Sequence, residues 1–156
     1  MKVMTQASPA TQPRLEQGDD DLGIVDALAQ LTFLIQGTLA KHATAQDLSM
    51  AQTRLLGVLR DREPTMQELA RLLDLDKSSV TGLVDRAERR GFVRRAPSAD
   101  DRRSIRVHLT SAGRKVIERV GAGFRVDVAT ATQCLSVVER KRLSTLATRV
   151  VMAVAA

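Results

Sequence analysis

Residues 65–113 read TMQELARLLDLDKSSVTGLVDRAERRGFVRRAPSADDRRSIRVHLTSAG, and this stretch decides the fold. Apolar residues recur at helical spacing on both sides of the turn DLDK, which predicts two short helices. Thr65 and Glu68 have the spacing of a capping box, so the first helix is expected to begin there. Gly91 is placed to end the second helix.

A β-hairpin is predicted to follow these helices. Residues 92–95 form one candidate strand, and residues 105–109 alternate apolar and polar side chains as a second strand should. The polar segment APSADDRRS between them forms the hairpin tip. Two short helices followed by a hairpin with a basic tip predict a winged helix-turn-helix.

Helical segments flank this unit on both sides. Apolar residues repeat every three or four positions over residues 24–41 and over residues 136–153. The same spacing occurs in a segment that Ser49 can cap and in a long segment after Thr110. The chain has three Phe and neither Trp nor Tyr, so its core must be built from aliphatic side chains, which favours helices. The predicted class is therefore mostly α, with a small β-hairpin wing and a helical dimerisation region.

Positive charge is concentrated in one part of the chain. The formal net charge is +6, and residues 86–119 alone hold eleven basic and four acidic side chains. Most of these basic residues are arginines, which suit phosphate and guanine recognition. Such a block is typical of a nucleic-acid-binding surface, although a solvated charged face has the same composition.

The second short helix holds the candidate DNA-reading residues. A recognition helix enters the major groove only when its outward side chains are small or polar. With the apolar positions facing inward, the hydroxyl groups of Ser78, Ser79 and Thr81 are expected to face outward toward base edges and phosphates. Lys77 and Arg86 flank them with positive charge, and Arg102 and Arg103 at the hairpin tip can reach the minor groove. Gly82 and Asp85 are also expected to face outward.

The same stretch resembles the multiple-antibiotic-resistance regulator (MarR) family. The pieces ELA, VTGLVDRAERRGFVRR, DRRS and LTSAG stand in the order and spacing of that family, and the flanking helices extend the likeness to the whole chain. The resemblance implies that Ser78, Ser79 and Thr81 line a recognition helix. It also implies that Arg86 lies near a phosphate.

The wing signature of the family, Asp-x-Arg, falls on Asp101 and Arg103. The resemblance implies that the arginine enters the minor groove and that the aspartate orients neighbouring basic groups. The alternatives are a turn residue for Asp101 and a solvated hairpin tip for Arg103. Thr65 could cap its helix, contact a phosphate, or do both.

The resemblance further implies a homodimer on a near-palindromic DNA site. The residues agree independently, because residues 24–39 and 116–151 carry more apolar surface than one winged domain could cover. An intramolecular helical bundle is the alternative. The expected organisation is a disordered tail (1–18), an N-terminal dimerisation helix (19–48), a winged helix-turn-helix DNA-binding domain (49–110) and C-terminal dimerisation helices (111–156).

The chain shows no pattern typical of catalysis or metal binding. Its two His and one Cys lack the spacing of metal ligands, and no Gly-rich loop follows a strand to hold a phosphate. We therefore expect no cofactor and no enzymatic activity. The single Cys134 fits a cytoplasmic protein and is interpreted as a core or interface residue, no apolar run suits a membrane span, and His108 is expected at the surface.

Many members of the family release DNA when a small phenolic or aromatic carboxylate binds between the dimer helices and the winged domain. Aromatic pocket walls cannot be carried over to a chain without Tyr or Trp. His42 or Arg54 could pair with an anionic ligand, and the alternative for each is an ordinary surface residue.

The leading interpretation is a sequence-specific double-stranded DNA-binding transcriptional regulator, a repressor released by a small anionic or phenolic ligand. A non-specific architectural DNA-binding protein is the alternative; it would show steep salt dependence with little sequence preference. Such a protein would place Lys and Arg on the recognition face rather than hydroxyl groups. The third hypothesis is a protein–protein adaptor that reuses the winged fold.

Overall fold

The computed structural model describes residues 22–98 and 104–154, and there the chain is mostly helical with one two-stranded antiparallel sheet. The predicted fold class is confirmed. The predicted tail, residues 1–18, lies outside the described residues. In chain order the elements are α1 (Ile24–Thr44), α2 (Met50–Leu59), α3 (Met66–Leu73), α4 (Lys77–Arg89), β1 (Val93–Pro97), β2 (Ile105–Leu109), α5 (Ser111–Ala131) and α6 (Val137–Val154).

Side-chain caps fix where four of these helices begin. The hydroxyl groups of Ser49, Thr65 and Thr110 each accept a hydrogen bond from a backbone N–H in the first turn of α2, α3 and α5. The Asp76 carboxylate does the same for α4. Gly91 follows α4 with a φ of 73°, a left-handed conformation that favours glycine. The caps at Ser49, Thr65 and Thr110 and the stop at Gly91 are as the sequence predicts.

One apolar core holds the winged unit, which we define as α2, α3, α4, β1, β2 and the first half of α5. Fully buried side chains come from each of its helices and both strands, because each amphipathic element turns one apolar face inward. The buried residues include Leu55, Leu56, Leu69, Leu73, Val80, Val84, Val93, Val107 and Val120. Thr65 also bridges to Arg106, which ties the start of α3 to the hairpin.

The helix α5 begins in direct contact with the hairpin. A Cβ atom at Gly113 would lie 2.1 Å from the Phe92 carbonyl oxygen, so only glycine allows this approach. Its first half buries Val116, Ile117 and Val120. In its second half Val126 is 64% exposed. A single helix therefore joins the core of the winged unit to the outer helices.

The outer helices α1 and α6 contrast with this core. Ala43 is the one buried residue of α1, and α6 has none. We call α1 and α6 the helical arms. Within the described residues, none of the helices combines the length and apolar character needed to cross a membrane.

Three details differ from the sequence predictions. The first strand runs over Val93–Pro97 rather than 92–95, because Pro97 still pairs with Ile105. His108 is not a surface residue: its side chain is 14% exposed, since Glu63 covers it with a carboxylate oxygen 3.1 Å from Nδ1. Cys134 is exposed in the turn between α5 and α6, so it is not a core residue, and its place in an interface stays a prediction.

Candidate nucleic-acid interface

The helix α4 has one apolar and one polar side. Val80, Leu83, Val84 and Ala87 are all buried in the core of the winged unit. Ser78, Ser79, Thr81, Lys77 and Arg86 are all exposed. The structure thus brings the five predicted residues of the recognition helix onto its open side.

The hydroxyl groups at the start of α4 are held by Asp76. Ser78 Oγ donates to Asp76 Oδ1 at 2.5 Å, and Ser79 Oγ donates to Oδ2 at 2.6 Å. The backbone N–H of Ser79 also donates to Oδ1 at 2.9 Å. Hydrogen bonds from the Ser78 hydroxyl, and then from the Ser79 hydroxyl and backbone, hold the pKa of Asp76 well below its usual range. The carboxylate is therefore ionised at neutral pH.

Farther along α4 the exposed side forms a shallow cleft. Thr81 Oγ1 donates to the Lys77 carbonyl oxygen at 2.8 Å. Arg86 lies back along the helix over Gly82, where an added Cβ would stand 3.3 Å from Arg86 Nη1. The cleft is lined by Ser78, Ser79, Gly82 and Arg86, with Ala51 and Leu75 at its edge. A surface of small hydroxyl side chains beside a guanidinium has the composition that major-groove contact requires.

An ion-pair cluster fixes the hairpin against α4. Arg95 on β1 places Nη2 2.6 Å from Asp85 Oδ1 and Nη1 2.5 Å from Glu88 Oε2. The Arg95 backbone N–H also donates to Glu88 Oε1 at 3.0 Å. Asp85 keeps 48% of its side chain exposed, so it lies on the outward side of α4 as predicted, with Arg95 as its ion-pair partner. Glu88 and Arg95 were missed, although Asp85 and Glu88 stand three positions apart on one helix face.

The base of the wing is held by Arg106. Its Nε donates to Ser98 Oγ at 3.0 Å, and its Nη1 donates to the Glu63 carbonyl oxygen at 2.8 Å. The Ser98 backbone N–H donates to the Ser104 carbonyl oxygen at 2.8 Å, closing the hairpin below its tip. The predicted wing residues Asp101, Arg102 and Arg103 lie outside the described residues.

Thr65 is a helix cap in this structure. Its Oγ1 accepts from the Glu68 N–H at 3.2 Å, and its own N–H donates to Glu68 Oε2 at 2.7 Å. The bond from the Thr65 backbone N–H, and then the Thr65 side chain, lower the pKa of the Glu68 carboxyl. A phosphate oxygen only accepts hydrogen bonds, so a phosphate contact would use the Thr65 hydroxyl hydrogen; this contact stays a prediction.

The two candidate ligand residues face different neighbours. His42 Nε2 and Lys41 Nζ each lie 2.9 Å from Asp127 Oδ2 on α5, and Lys41 and then His42 lower the pKa of that carboxyl. The imidazole packs on Gly123, where a Cβ would stand 2.3 Å from Nδ1. Arg54 is exposed on α2 in a depression near the end of α3. The depression that Arg54 lines does not include His42, and ligand binding by either stays a prediction.

Two short helices, of which the second presents a polar face, and a hairpin locked to that second helix define a winged helix-turn-helix protein. Comparison with known proteins narrows this class. Residues 46–104 match the sequence model of the MarR family. The winged helix-turn-helix of this chain is therefore similar to that of the MarR family.

Relatives and solved structures agree with this assignment. The chain is 31% identical over 101 residues to the HTH-type transcriptional regulator PecS of Dickeya dadantii, an alignment that covers 62% of this chain and 61% of PecS. Two further curated relatives are matched over 44% and 52% of their length. The chain thus spans about half to three fifths of the length of these relatives.

Similarity of structure extends over more of the chain. The YusO protein of Bacillus subtilis superimposes with a TM-score of 0.65 at 26% identity, covering 83% of this chain and 93% of YusO. Apo MarR of Escherichia coli gives a TM-score of 0.72 at 24% identity, covering 85% of this chain and 98% of MarR. The likeness therefore includes the helical arms as well as the winged unit.

Proposed function

We propose that the chain is a sequence-specific double-stranded DNA-binding transcriptional regulator. The observation that carries this proposal is α4, which buries one side in the core and presents Ser78, Ser79 and Thr81 between two cationic side chains on the other. Support comes from a Staphylococcus aureus MepR mutant, which shares the fold at a TM-score of 0.61 and was solved bound to an oligodeoxyribonucleotide. In this proposal α4 enters the major groove, and Lys77 and Arg86 contact phosphates or guanine edges.

The wing would contribute a second contact in the minor groove. Arg95 and Arg106 fix the two strands of the hairpin against α4 and the α2–α3 connection. This bracing holds the two described strands against the helices. In the proposal Arg102 and Arg103 enter the adjacent minor groove, Asp101 orients them, and Thr65 contacts a phosphate.

The helical arms would join two copies of the chain into a homodimer. Ile24, Val25 and Phe33 on α1 are 73%, 75% and 68% exposed, and Val138 and Val151 on α6 are 76% and 65% exposed. A continuous exposed apolar surface of this kind is typical of a site that a partner protein covers. A two-fold dimer presents two α4 helices to a pseudo-palindromic operator. Residues 19–48 and 111–156 would then form the dimerisation regions around the DNA-binding domain, residues 49–110.

In this proposal the protein is a cytoplasmic repressor, and a small ligand releases it from the DNA. Support comes from relatives: NadR, with a TM-score of 0.67, was solved with 4-hydroxyphenylacetate, and NicR of Pseudomonas putida is named a transcriptional repressor. A phenolic or aromatic carboxylate is therefore the proposed effector class. His42 and Arg54 are the proposed cationic partners of its carboxylate.

The test selects duplexes from a random DNA pool with the full chain and measures their binding against excess non-specific competitor. We expect a pseudo-palindromic sequence to be enriched and bound by a dimer. Lys77→Ala should weaken this binding by roughly 1–3 kcal/mol. Lys141→Ala removes an equally exposed lysine from α6 and should leave DNA binding unchanged.

The alternative functions give different results in the same experiment. An architectural protein would bind all duplexes alike, with affinity falling steeply as salt rises. An adaptor would bind no duplex even at low salt. Either result would contradict the proposed function.

A further inference from the structure

The three hydroxyl groups on the open side of α4 are all engaged within the protein. Ser78 Oγ and Ser79 Oγ lie 2.5 and 2.6 Å from the two oxygens of the Asp76 carboxylate. Thr81 Oγ1 lies 2.8 Å from the Lys77 carbonyl oxygen. An ionised carboxylate and a carbonyl can only accept hydrogen bonds, so the hydroxyl is the donor in each pair. A hydroxyl group has one hydrogen, and in all three it points back into the helix.

We propose that Asp76 is a positioning residue that makes Ser78 and Ser79 accept hydrogen bonds from DNA rather than donate them, and that the Lys77 carbonyl does the same for Thr81. The inference rests on the proposed function, in which α4 lies in the major groove. The donors at base edges there are the N4 amino group of cytosine and the N6 amino group of adenine. These amino groups are the partners of the three hydroxyl oxygens.

The same geometry excludes these hydroxyl groups from the other contacts first expected of them. Phosphate oxygens, purine N7, guanine O6 and thymine O4 are all acceptors. To bind one of them, Ser78 or Ser79 would first have to give up a charge-assisted hydrogen bond to Asp76, which is stronger than a bond to a neutral base edge and is at best matched by a bond to a phosphate. Lys77 and Arg86 are the donors on this face, and contacts to phosphates and guanine edges fall to them.

The test deletes single groups from a duplex selected by the full chain. Deoxynebularine in place of deoxyadenosine removes N6, a 2-pyrimidinone nucleoside in place of deoxycytidine removes N4, and 7-deazapurines remove N7. Each duplex is titrated with the wild type and with Ser78→Ala, Ser79→Ala and Thr81→Ala, as a double-mutant cycle. At one or more positions of each half-site, loss of an amino group should weaken wild-type binding about three- to tenfold more than it weakens the matching variant. Loss of N7 should weaken the wild type and these variants equally.

Two further variants make the test selective. Thr130 on α5 also donates to a backbone carbonyl four residues earlier, at 3.0 Å, so Thr130→Ala controls for loss of such a hydroxyl and should match the wild type on every duplex. Asp76→Asn replaces an acceptor-only group by one that also donates. One serine then accepts from the amide and its hydrogen is released, so the coupling to one amino group should vanish and a coupling to an acceptor such as N7 should appear.

Coupling of the wild-type serines to N7 would overturn the proposal. So would a sequence-specific complex in which none of the three hydroxyl groups couples to an amino group. If no sequence is selected at all, the proposed function itself fails and the inference falls with it. The selection step separates that failure from the other two.

Discussion

The winged unit buries its apolar side chains, whereas the helical arms leave many of theirs exposed to solvent. In the winged unit Leu55, Leu56, Leu69 and Val107 have no exposed surface. In the arms Val138 and Val154 are 76% and 85% exposed. The same kinds of residue are thus enclosed in one region and open to solvent in the other.

This difference in burial shows which part of the fold a single chain can bury by itself and which part it leaves exposed. The winged unit has a core, capped helices and a hairpin paired along both strands, so its apolar side chains are covered by the chain itself. The arms have helical sequence and few apolar contacts, and most helical stability in proteins comes from packing. The winged unit is therefore expected to govern folding of the chain, and the arms to govern association.

The largest expected effect is on the core of the winged unit. Leu56→Ala should lower the free energy of unfolding by about 2–5 kcal/mol, because it removes a fully buried side chain and leaves a cavity. Leu72→Ala is the matched control, since Leu72 is 39% exposed on α3 and should cost under about 1 kcal/mol. Urea denaturation of both variants measures the difference. Equal losses would show that the described core does not govern stability.

The next effect should fall on association rather than folding. Leu146→Asp places a charge on the exposed apolar side of α6, where the leucine is 46% exposed. A symmetric dimer that uses this side would bury one such charge from each copy, so the dissociation constant should rise about 100-fold, or about 2.7 kcal/mol. Sedimentation velocity over a concentration series measures this. Leu72→Asp, on the winged unit, should stay dimeric; a dimer unaffected by Leu146→Asp would place the interface elsewhere.

A smaller effect is expected where the hairpin meets α4. Arg95→Ala removes the partner of Asp85 and Glu88 and should destabilise the winged unit by about 1–2 kcal/mol, since the side chain is 25% exposed and solvent screens part of the interaction. Its neighbour Arg94 is exposed, so Arg94→Ala should change stability by under about 0.5 kcal/mol. Thermal unfolding compares the two. If both variants melt alike, the cluster does not brace the wing.

The smallest expected effect is a dependence on acid. The pKa of Asp76 is lower in the folded chain than its unfolded value of about 3.9, because Ser78 and Ser79 donate to the carboxylate. Its contribution to stability is therefore present above about pH 4 and is lost as the pH falls below that value. Asp76→Asn should flatten the fall in stability below pH 4 when unfolding is followed by urea titration at several pH values. An unchanged acid profile would contradict the role given to these hydrogen bonds.

Local signals account for the parts of the fold that the sequence predicts. The Thr65–Glu68 spacing, the Gly91 stop and the alternation of residues 105–109 each depend on neighbours a few positions away. The structure has these features where they were expected. The serines and Thr81 also lie on the expected side of α4, because helical spacing determines which side chains share a face.

Partners distant in the sequence account for what was missed. Asp85 lies on the outward side of α4 as its spacing predicts, yet its ion-pair partner Arg95 comes from the hairpin. His42 meets Asp127, which is 85 positions away, and no spacing rule relates two such residues. The Asp76 contacts are local, but the turn DLDK offers two aspartates, and only the structure shows which one binds the hydroxyl groups.

The continuous helix α5 makes the two regions mechanically dependent on each other. Its 21 residues extend about 31 Å, and the part from Gly113 against the hairpin to Asp127 beside His42 spans about 21 Å. A tilt of about 5° at Asp127 would displace the Gly113 end by about 2 Å, a sixth of the major-groove width of about 12 Å. A helix of this length would convert a small change in the angle between α1 and α5 into a change in the distance between the two α4 helices of the proposed dimer. Under the proposed function, the spacing of the two half-sites in an operator would then depend on the angle of this one helix.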